Sequence, residues 1–230
     1  MKWSALLDAM ADLAWGGCCA ACGQPGPVCC RTCADSVRGL VPRRVDAGNG
    51  VTPIWARGDY TDELRALILA CKERQGLGLV PLLGDLVEGS VAAVVHDRWR
   101  RGPVMLVPIP SSRATVAARG FDLTWLLARR AASRLGRLGL DIQARRDLTL
   151  ASGSRDQVGL GVEDRASNRR GGIEALPSQP AQIVLLDDIV TTGATLAAAV
   201  DALESVGHRL LGAGVIAATP RLDGRPRAVR

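Results

Sequence analysis

Residues Ile183 to Leu196 constrain this chain more than any other stretch. Ile183-Val184-Leu185-Leu186 form an unbroken apolar run, the pattern of a short strand buried on both faces, as in a parallel sheet. Asp187 and Asp188 follow where that strand should end, then Ile189 and Val190, then Thr191-Thr192-Gly193-Ala194-Thr195. Leu196 to Leu203 has the composition of a helix. The helix start offers backbone N–H groups, hydroxyl donors and the positive end of a dipole, which are the parts of a phosphate cradle. Gly193 lets the backbone approach an anion closely. The carboxylates would sit at the carboxyl end of the strand, where open α/β sheets bind ligands. Carboxylates repel phosphate, so their partners should be hydroxyl groups or a cation. A ribose 5-phosphate carries vicinal hydroxyls beside a phosphate and satisfies both halves. The competing reading, a strand and helix with unrelated Asp and Thr residues at the turn, explains a lone acidic pair better than it explains the full string.

That string resembles the 5-phosphoribosyl 1-pyrophosphate (PRPP) signature of the type I phosphoribosyltransferases. The resemblance implies that Asp187 and Asp188 hold the ribose 2- and 3-hydroxyls, while Thr191, Thr192, Gly193, Ala194 and Thr195 wrap the 5-phosphate. It implies an α/β fold in which helices flank a parallel sheet.

The 230 residues are 47% hydrophobic, enough for one fair-sized core and a small appendage. Aromatics make up only 3%, so Leu, Val, Ile and Ala must build that core. Lys and Arg number 29 against 23 Asp and Glu, giving a net charge of +6 and a pI near 9.3. Phosphorylated substrates or nucleic acid are the polyanionic partners such a balance favours, although an Arg-rich composition can also lack any such meaning. No uninterrupted apolar run reaches about 18 residues, so no transmembrane helix is expected. Asp8 and Asp12 interrupt what would be a signal-peptide core, and Leu6, Leu7, Met10, Leu13 and Ala14 follow helical spacing instead. The expected location is cytoplasmic, where thiols stay reduced.

Of seven cysteines, all but Cys71 fall between residues 18 and 33. A single register yields paired Cys-x-x-Cys knuckles: Cys19/Cys22 and Cys30/Cys33, with Gly23-Gln24-Pro25-Gly26-Pro27 as the turn between them. Cys18 and Cys29 are spare. Thiolates so spaced match a closed, structural Cys₄ zinc site. A disulfide framework would need an oxidising compartment, and a thioredoxin-like redox pair would need a strand-helix frame that these residues lack.

Residues 34–58 read as a connector with a strand near Val51–Ala56. Tyr60 opens a helical segment through Leu64, Leu67, Ile68 and Cys71, in which Cys71 reads as core and Lys72 as a solvated helix-end charge. Leu79 to Val95 reads as a second, apolar helix. Val104 to Val107 reads as another buried strand, followed by Pro108-Ile109-Pro110-Ser111-Ser112-Arg113, a hydroxyl-bearing loop that could hold a second anion or be an ordinary proline-bounded turn. An amphipathic helix on Leu123, Leu126, Leu127 and Ala131 comes next. Leu150 to Gly172 shows no periodicity and could be a mobile lid or a disordered insert. His96 and His208 fit no ligand pattern.

Taken together, Cys19/Cys22/Cys30/Cys33, Tyr60 with Lys72, Val107 to Pro110, Arg119-Gly120-Phe121-Asp122, Gln157 with Arg165 and Asn168, and Val184 to Thr195 resemble the ComF family. These are competence-associated, type I phosphoribosyltransferase-like proteins with an N-terminal zinc knuckle. Asp122-Leu123 departs from the Asn-Gln usual in that family after Arg-Gly-Phe. The resemblance implies a knuckle and connector at 1–58, a phosphoribosyltransferase-like domain at 59–218 and a basic tail at 219–230. It implies pyrophosphate held by Ser111, Ser112 and Arg113, a lid carrying Gln157, Arg165 and Asn168, and Mg²⁺ bound with PRPP. Asp187, Asp188, Arg165 and Arg113 would then serve catalysis. Alternatively, the chain would be a DNA-binding module for natural transformation, with single-stranded DNA or competence proteins as partners and a residual or regulatory PRPP pocket. The scarcity of aromatic stacking platforms weighs against that.

Overall fold

The computed structural model describes residues 17–46, 53–73, 76–99, 101–151 and 172–220. The N-terminal segment around Leu6–Ala14, the loop carrying Gln157, Arg165 and Asn168, and the tail 221–230 lie outside the described residues.

The architecture is a parallel sheet covered on both faces. In chain order the elements are α1 (Arg31–Gly39), β1 (Arg43–Val45), β2 (Ile54–Asp59), α2 (Asp62–Glu73), a 3₁₀ turn (Leu77–Leu79), α3 (Val80–Arg98), β3 (Val104–Pro108), α4 (Arg113–Arg119) and α5 (Leu123–Arg137). They continue with β4 (Ile142–Ala144), β5 (Leu148–Leu150), β6 (Ile173–Ala175), β7 (Gln182–Val190), α6 (Ala194–Ser205) and β8 (Arg209–Ala218). The main sheet runs β1-β2-β8-β7-β3-β4. Only β1 is antiparallel within it. β2 ends at Asp59, so the sequence-based boundary at residue 58/59 falls at the end of a strand that pairs with β8.

Alternation along the central strands divides the core. Val104 and Leu106 of β3, with Val184 and Leu186 of β7, pack beneath α2, α3 and α5. Val107, Ile183 and Leu185 turn to the other face, under α6 and the β5–β6 ribbon. Among the described residues, one helical stretch, Leu77–Arg98, is long and apolar enough to cross a membrane, with a mean hydropathy of 1.6. In the fold it is a core helix: α3 packs on α5, β2 and β8, and Leu83, Leu86, Val87, Val91 and Val94 are fully buried. Its approach to β8 is close enough that a Cβ on Gly214 would lie 2.8 Å from the Val91 side chain. The polar side of α3 pairs with α5 instead, through Asp85 with Arg130 at 2.8 Å and Glu88 with Arg134.

Several elements correct the sequence-based expectations. The apolar run Ile183–Leu186 is only the middle of a longer strand, because pairing with β8 carries β7 on through both aspartates to Val190, past the end of its pairing with β3 at Leu186. The 34–58 connector contains the end of α1, together with β1 and most of β2. Tyr60 does not open a helix: its N–H donates to Ala218 O, extending the β2–β8 edge, and α2 begins at Asp62. Leu150 and Ile173 are paired in an antiparallel ribbon, so strands bound the stretch that the sequence reads as aperiodic from Leu150 to Gly172.

His208 also has a structural place. Buried just before β8, it accepts the Ala181 N–H at Nδ1 (3.1 Å), so its other nitrogen carries the proton and donates to Ser178 Oγ (3.0 Å). Burial holds its pKa below the ordinary value, against the opposing charge of Asp147. The fold therefore favours the neutral ring. Above about pH 6.5 the folded and unfolded chains are both neutral here and this group adds no pH dependence. As pH falls below that value the unfolded chain takes up a proton first, so stability declines, by at most about 1.4 kcal/mol per pH unit, until the folded-state pKa is passed. Urea unfolding of the wild type between pH 8 and pH 5 should show this slope, and His208→Phe should flatten it.

Candidate functional site

Parallel strands place the loops that follow β2, β3, β7 and β8 at one edge of the sheet. Asp187 and Asp188 lie near the carboxyl end of β7, with the Thr191–Gly193 loop directly beyond them. Asp187 is partly buried and accepts the Asp188 N–H at 2.8 Å. Burial, followed by the adjacent Asp188 charge, pushes the Asp187 carboxyl well above the usual carboxylate range, although that hydrogen bond and Lys72 pull the other way. Asp188 is 6% exposed, and its Oδ2 lies 2.7 Å from Lys72 Nζ. Lys72 is therefore not the solvated helix-end charge its sequence position suggests. A lysine at the end of α2 looks unremarkable in sequence because its partner is more than a hundred residues away.

Past Val190 the chain turns into α6. Gly193, buried and with φ of 71°, occupies the N-cap, where a left-handed conformation suits glycine. Thr191, Thr192, Ala194 and Thr195 are exposed around it, and Thr192 Oγ1 accepts the Ala194 N–H at 3.4 Å. First-turn N–H groups of α6 and the threonine hydroxyls thus surround an open corner suited to an anion.

Beside this corner lies the loop after β3, brought there because Pro108 pairs with Leu186 of β7. Ile109 is held on both sides: its N–H donates to Leu186 O at 2.9 Å, and its carbonyl accepts from Thr124 Oγ1 at 2.9 Å. Ser112 caps α4, accepting the Thr115 N–H at 3.0 Å, which leaves Arg113 exposed in the first turn. Ser111 donates to Asp122 Oδ1 across 3.5 Å.

Asp122 is the hub of this corner. It caps α5 by accepting the Trp125 N–H at 3.3 Å, and its Oδ1 lies 3.0 Å from Thr124 Oγ1, whose single proton it shares with Ile109 O. Its Oδ2 accepts from Arg146 at 2.9 Å, and the Arg146 guanidinium lies 4.3 Å from the Trp125 ring centre. The signal was present in the sequence as an Asp immediately before a helical apolar pattern.

Gln157, Arg165 and Asn168 lie outside the described residues, so only the β5–β6 stem of their loop can be placed. That stem packs against α6, the helix that the Thr191–Thr195 corner opens.

At the N-terminal end, Cys19, Cys22, Cys30 and Cys33 converge, with their sulfur atoms all within 4.8 Å of one another. A tight turn and a contact between the knuckles produce this: Gly23 N–H donates to Cys19 O at 2.8 Å, and Cys30 N–H, just before α1, donates to Cys19 Sγ at 3.3 Å. Tetrahedral zinc with bonds of about 2.3 Å needs sulfurs about 3.8 Å apart, close to the 3.9 Å between Cys22 and Cys30. Their proton affinities diverge. Burial raises the Cys19 thiol, but N–H groups of Cys22, Cys30 and Ala21 outweigh it and bring it to about 6, whereas burial leaves Cys33 well above the ordinary thiol value. Four clustered sulfurs cannot all ionise without a cation, and the set could hold a metal ion such as zinc. The spare Cys29 points its sulfur at Cys30 O instead, and Cys71 is buried in the core as its sequence context suggests.

The family described as "Phosphoribosyl transferase domain" matches residues 90–229, which span β3 to β8 and both loops of the site. An adenine phosphoribosyltransferase of Corynebacterium jeikeium (strain K411) is 42% identical over 53 residues, 23% of this chain and 26% of that protein. One from Gluconobacter oxydans (strain 621H) is 43% identical over 56 residues, 24% of this chain and 31% of that protein. The chain thus matches less than a third of the length of either curated relative. A crystal structure of an adenine phosphoribosyltransferase overlays with a TM-score of 0.42 at 16% identity, covering 84% of this chain and 93% of that one.

The cysteine cluster carries its own test. The purified protein should contain one zinc ion per chain by plasma mass spectrometry, and Cys33→Ser should lose it. Metal binding contributes directly to folding in such sites. Chelation should therefore also lower the thermal midpoint of the wild type while leaving that of Cys33→Ser unchanged.

Proposed function

The chain belongs to the phosphoribosyl transferase domain family, and from that premise we propose that it binds PRPP at the carboxyl edge of β3 and β7 and transfers the phosphoribosyl group. The observation that carries this reading is the sequence of groups along a single edge: Asp187 and Asp188, then the Thr191–Thr195 corner at the start of α6, with the Ser111–Arg113 loop beside them.

In this reading each group meets a different part of one ligand. Asp187 and Asp188 accept the ribose 2- and 3-hydroxyls. Thr191 to Thr195 surround the 5-phosphate with hydroxyl and N–H donors at a helix start. Ser111, Ser112 and Arg113 take the pyrophosphate, and Arg165 with Gln157 and Asn168 close over it. Mg²⁺ enters with PRPP, on its pyrophosphate and ribose hydroxyls, as part of the substrate. An acceptor attacks C1 of the ribose, the bond to pyrophosphate breaks, and positive charge develops at the ring in an oxocarbenium-like transition state. The protein contributes positioning and electrostatics, with no covalent intermediate. Asp187 and Asp188 fix the sugar, and Arg113 meets the charge gathering on the leaving group.

Within the family we place the chain with ComF, on the Cys₄ cluster ahead of the matched domain and on the order of the motifs, with a role in competence and DNA uptake. The cluster would hold a structural zinc, closed to substrate because all of its ligands come from protein. A DNA-binding module for natural transformation is the second reading, favoured by the net charge of +6 and by the Arg146–Trp125 stack beside the loops.

Calorimetric titration of PRPP with Mg²⁺ into the zinc-loaded protein tests the first reading. The wild type should bind, and Asp187→Asn/Asp188→Asn should weaken binding by about a hundredfold, the scale of losing one or two hydrogen bonds to charged acceptors. No heat at millimolar PRPP would overturn it. Salt-dependent DNA binding that survives Asp188→Asn would then support the second.

A further inference from the structure

Lys72 reaches the site from outside the matched domain. It lies in the last turn of α2, well before residue 90, yet its Nζ lies 2.7 Å from Asp188 Oδ2, and the two side chains are 26% and 8% exposed. Its backbone is tied in as well: the Arg119 Nε–H donates to Lys72 O at 3.0 Å. Arg119 closes α4, the helix that Ser112 begins beside the β3 loop, and its guanidinium lies 5.9 Å from the Phe121 ring. One chain of contacts thus runs from the β3 loop along α4 to Arg119, through the Lys72 backbone, and out along the Lys72 side chain to Asp188.

We propose that Lys72 is a positioning residue of the ribose site: its ammonium group occupies Asp188 Oδ2 and leaves Oδ1 to accept a ribose hydroxyl. The inference rests on the PRPP reading above. It answers a difficulty which that reading raises. A buried carboxylate beside two phosphate-binding loops repels the polyanion those loops are built to hold. A fixed ammonium on the far oxygen cancels that charge without spending the near one, and a charge-assisted hydrogen bond fixes the plane of the carboxylate. Arg119 sets where the ammonium lies, so the pyrophosphate side and the ribose side of the site share one strut. The segment that follows the cysteine cluster thus adjoins the site: α1 and α2 pack together, and Val37, Leu64 and Ile68 belong to one buried core.

The same calorimetric titration, on wild type, Lys72→Met, Asp188→Asn and the double variant, separates the possibilities. Lys72→Met should bind PRPP about tenfold or more weakly. The double variant should bind no more weakly than Asp188→Asn alone, because Lys72 acts through Asp188. Lys72→Arg, which keeps the charge and is the fallback should Lys72→Met fail to fold, should bind with intermediate affinity. A purely structural lysine would shift the thermal midpoint without this non-additivity in binding. Wild-type affinity in folded Lys72→Met, or fully additive losses in the double variant, would overturn the inference and leave the PRPP site standing. No PRPP binding by the wild type would overturn both.

Discussion

Parallel pairing on both sides of β7 is the constraint from which the rest of the structure follows. Where β7 is hydrogen-bonded to both β3 and β8, its buried residues Ile183–Leu186 must be apolar, and helices must cover them above and below. That requirement makes α3 apolar enough to pass for a membrane span while it serves as a core helix, and it brings Gly214 of β8 against Val91. It also aligns the strand ends. Every loop that leaves a parallel strand in the same direction meets the others at one edge, so residues far apart in the chain form one surface there.

The polar groups at that edge are each tied to the frame. Asp188 is buried but paired with Lys72; Asp122 has three backbone or hydroxyl groups around one oxygen and Arg146 on the other; Ile109 is pinned by β7 and Thr124. Such partners keep burial from becoming a penalty, since an unpaired buried carboxylate would shift its protonation or destabilise the fold. The same logic governs the cysteine cluster at the other end of the chain. Converging sulfurs with diverging proton affinities form a cluster that could hold a divalent cation.

Much of the site was legible because its signals are local. The order of apolar run, acidic pair, hydroxylated loop and helix lies within Ile183 to Leu196, and the glycine that turns the corner is Gly193 in both readings. The cysteine register was legible for the same reason, as the knuckles lie only eleven residues apart from Cys19 to Cys30. Elements whose stability comes from distant partners were not. β1, β4, β5 and β6 are three residues each, too short to show a period, and exist because a neighbouring strand pairs with them. Tyr60 reads as helical in the sequence because nothing near it reveals that Ala218 will accept its N–H.

What the sequence determined by itself is the chemistry available: which carboxylates, hydroxyls, amides and thiols stand next to one another along the chain, and which apolar runs must be buried. What only the tertiary structure decided is which of these groups face each other. Lys72 shows the difference. Its charge and its place at the end of α2 are plain in the sequence, but its role depends on Asp188, Arg119 and the packing of α2 against the sheet. Coulombic and hydrogen-bonding energies fall off over a few ångströms, so a pairing across more than a hundred residues of chain has no local trace until the fold closes that distance.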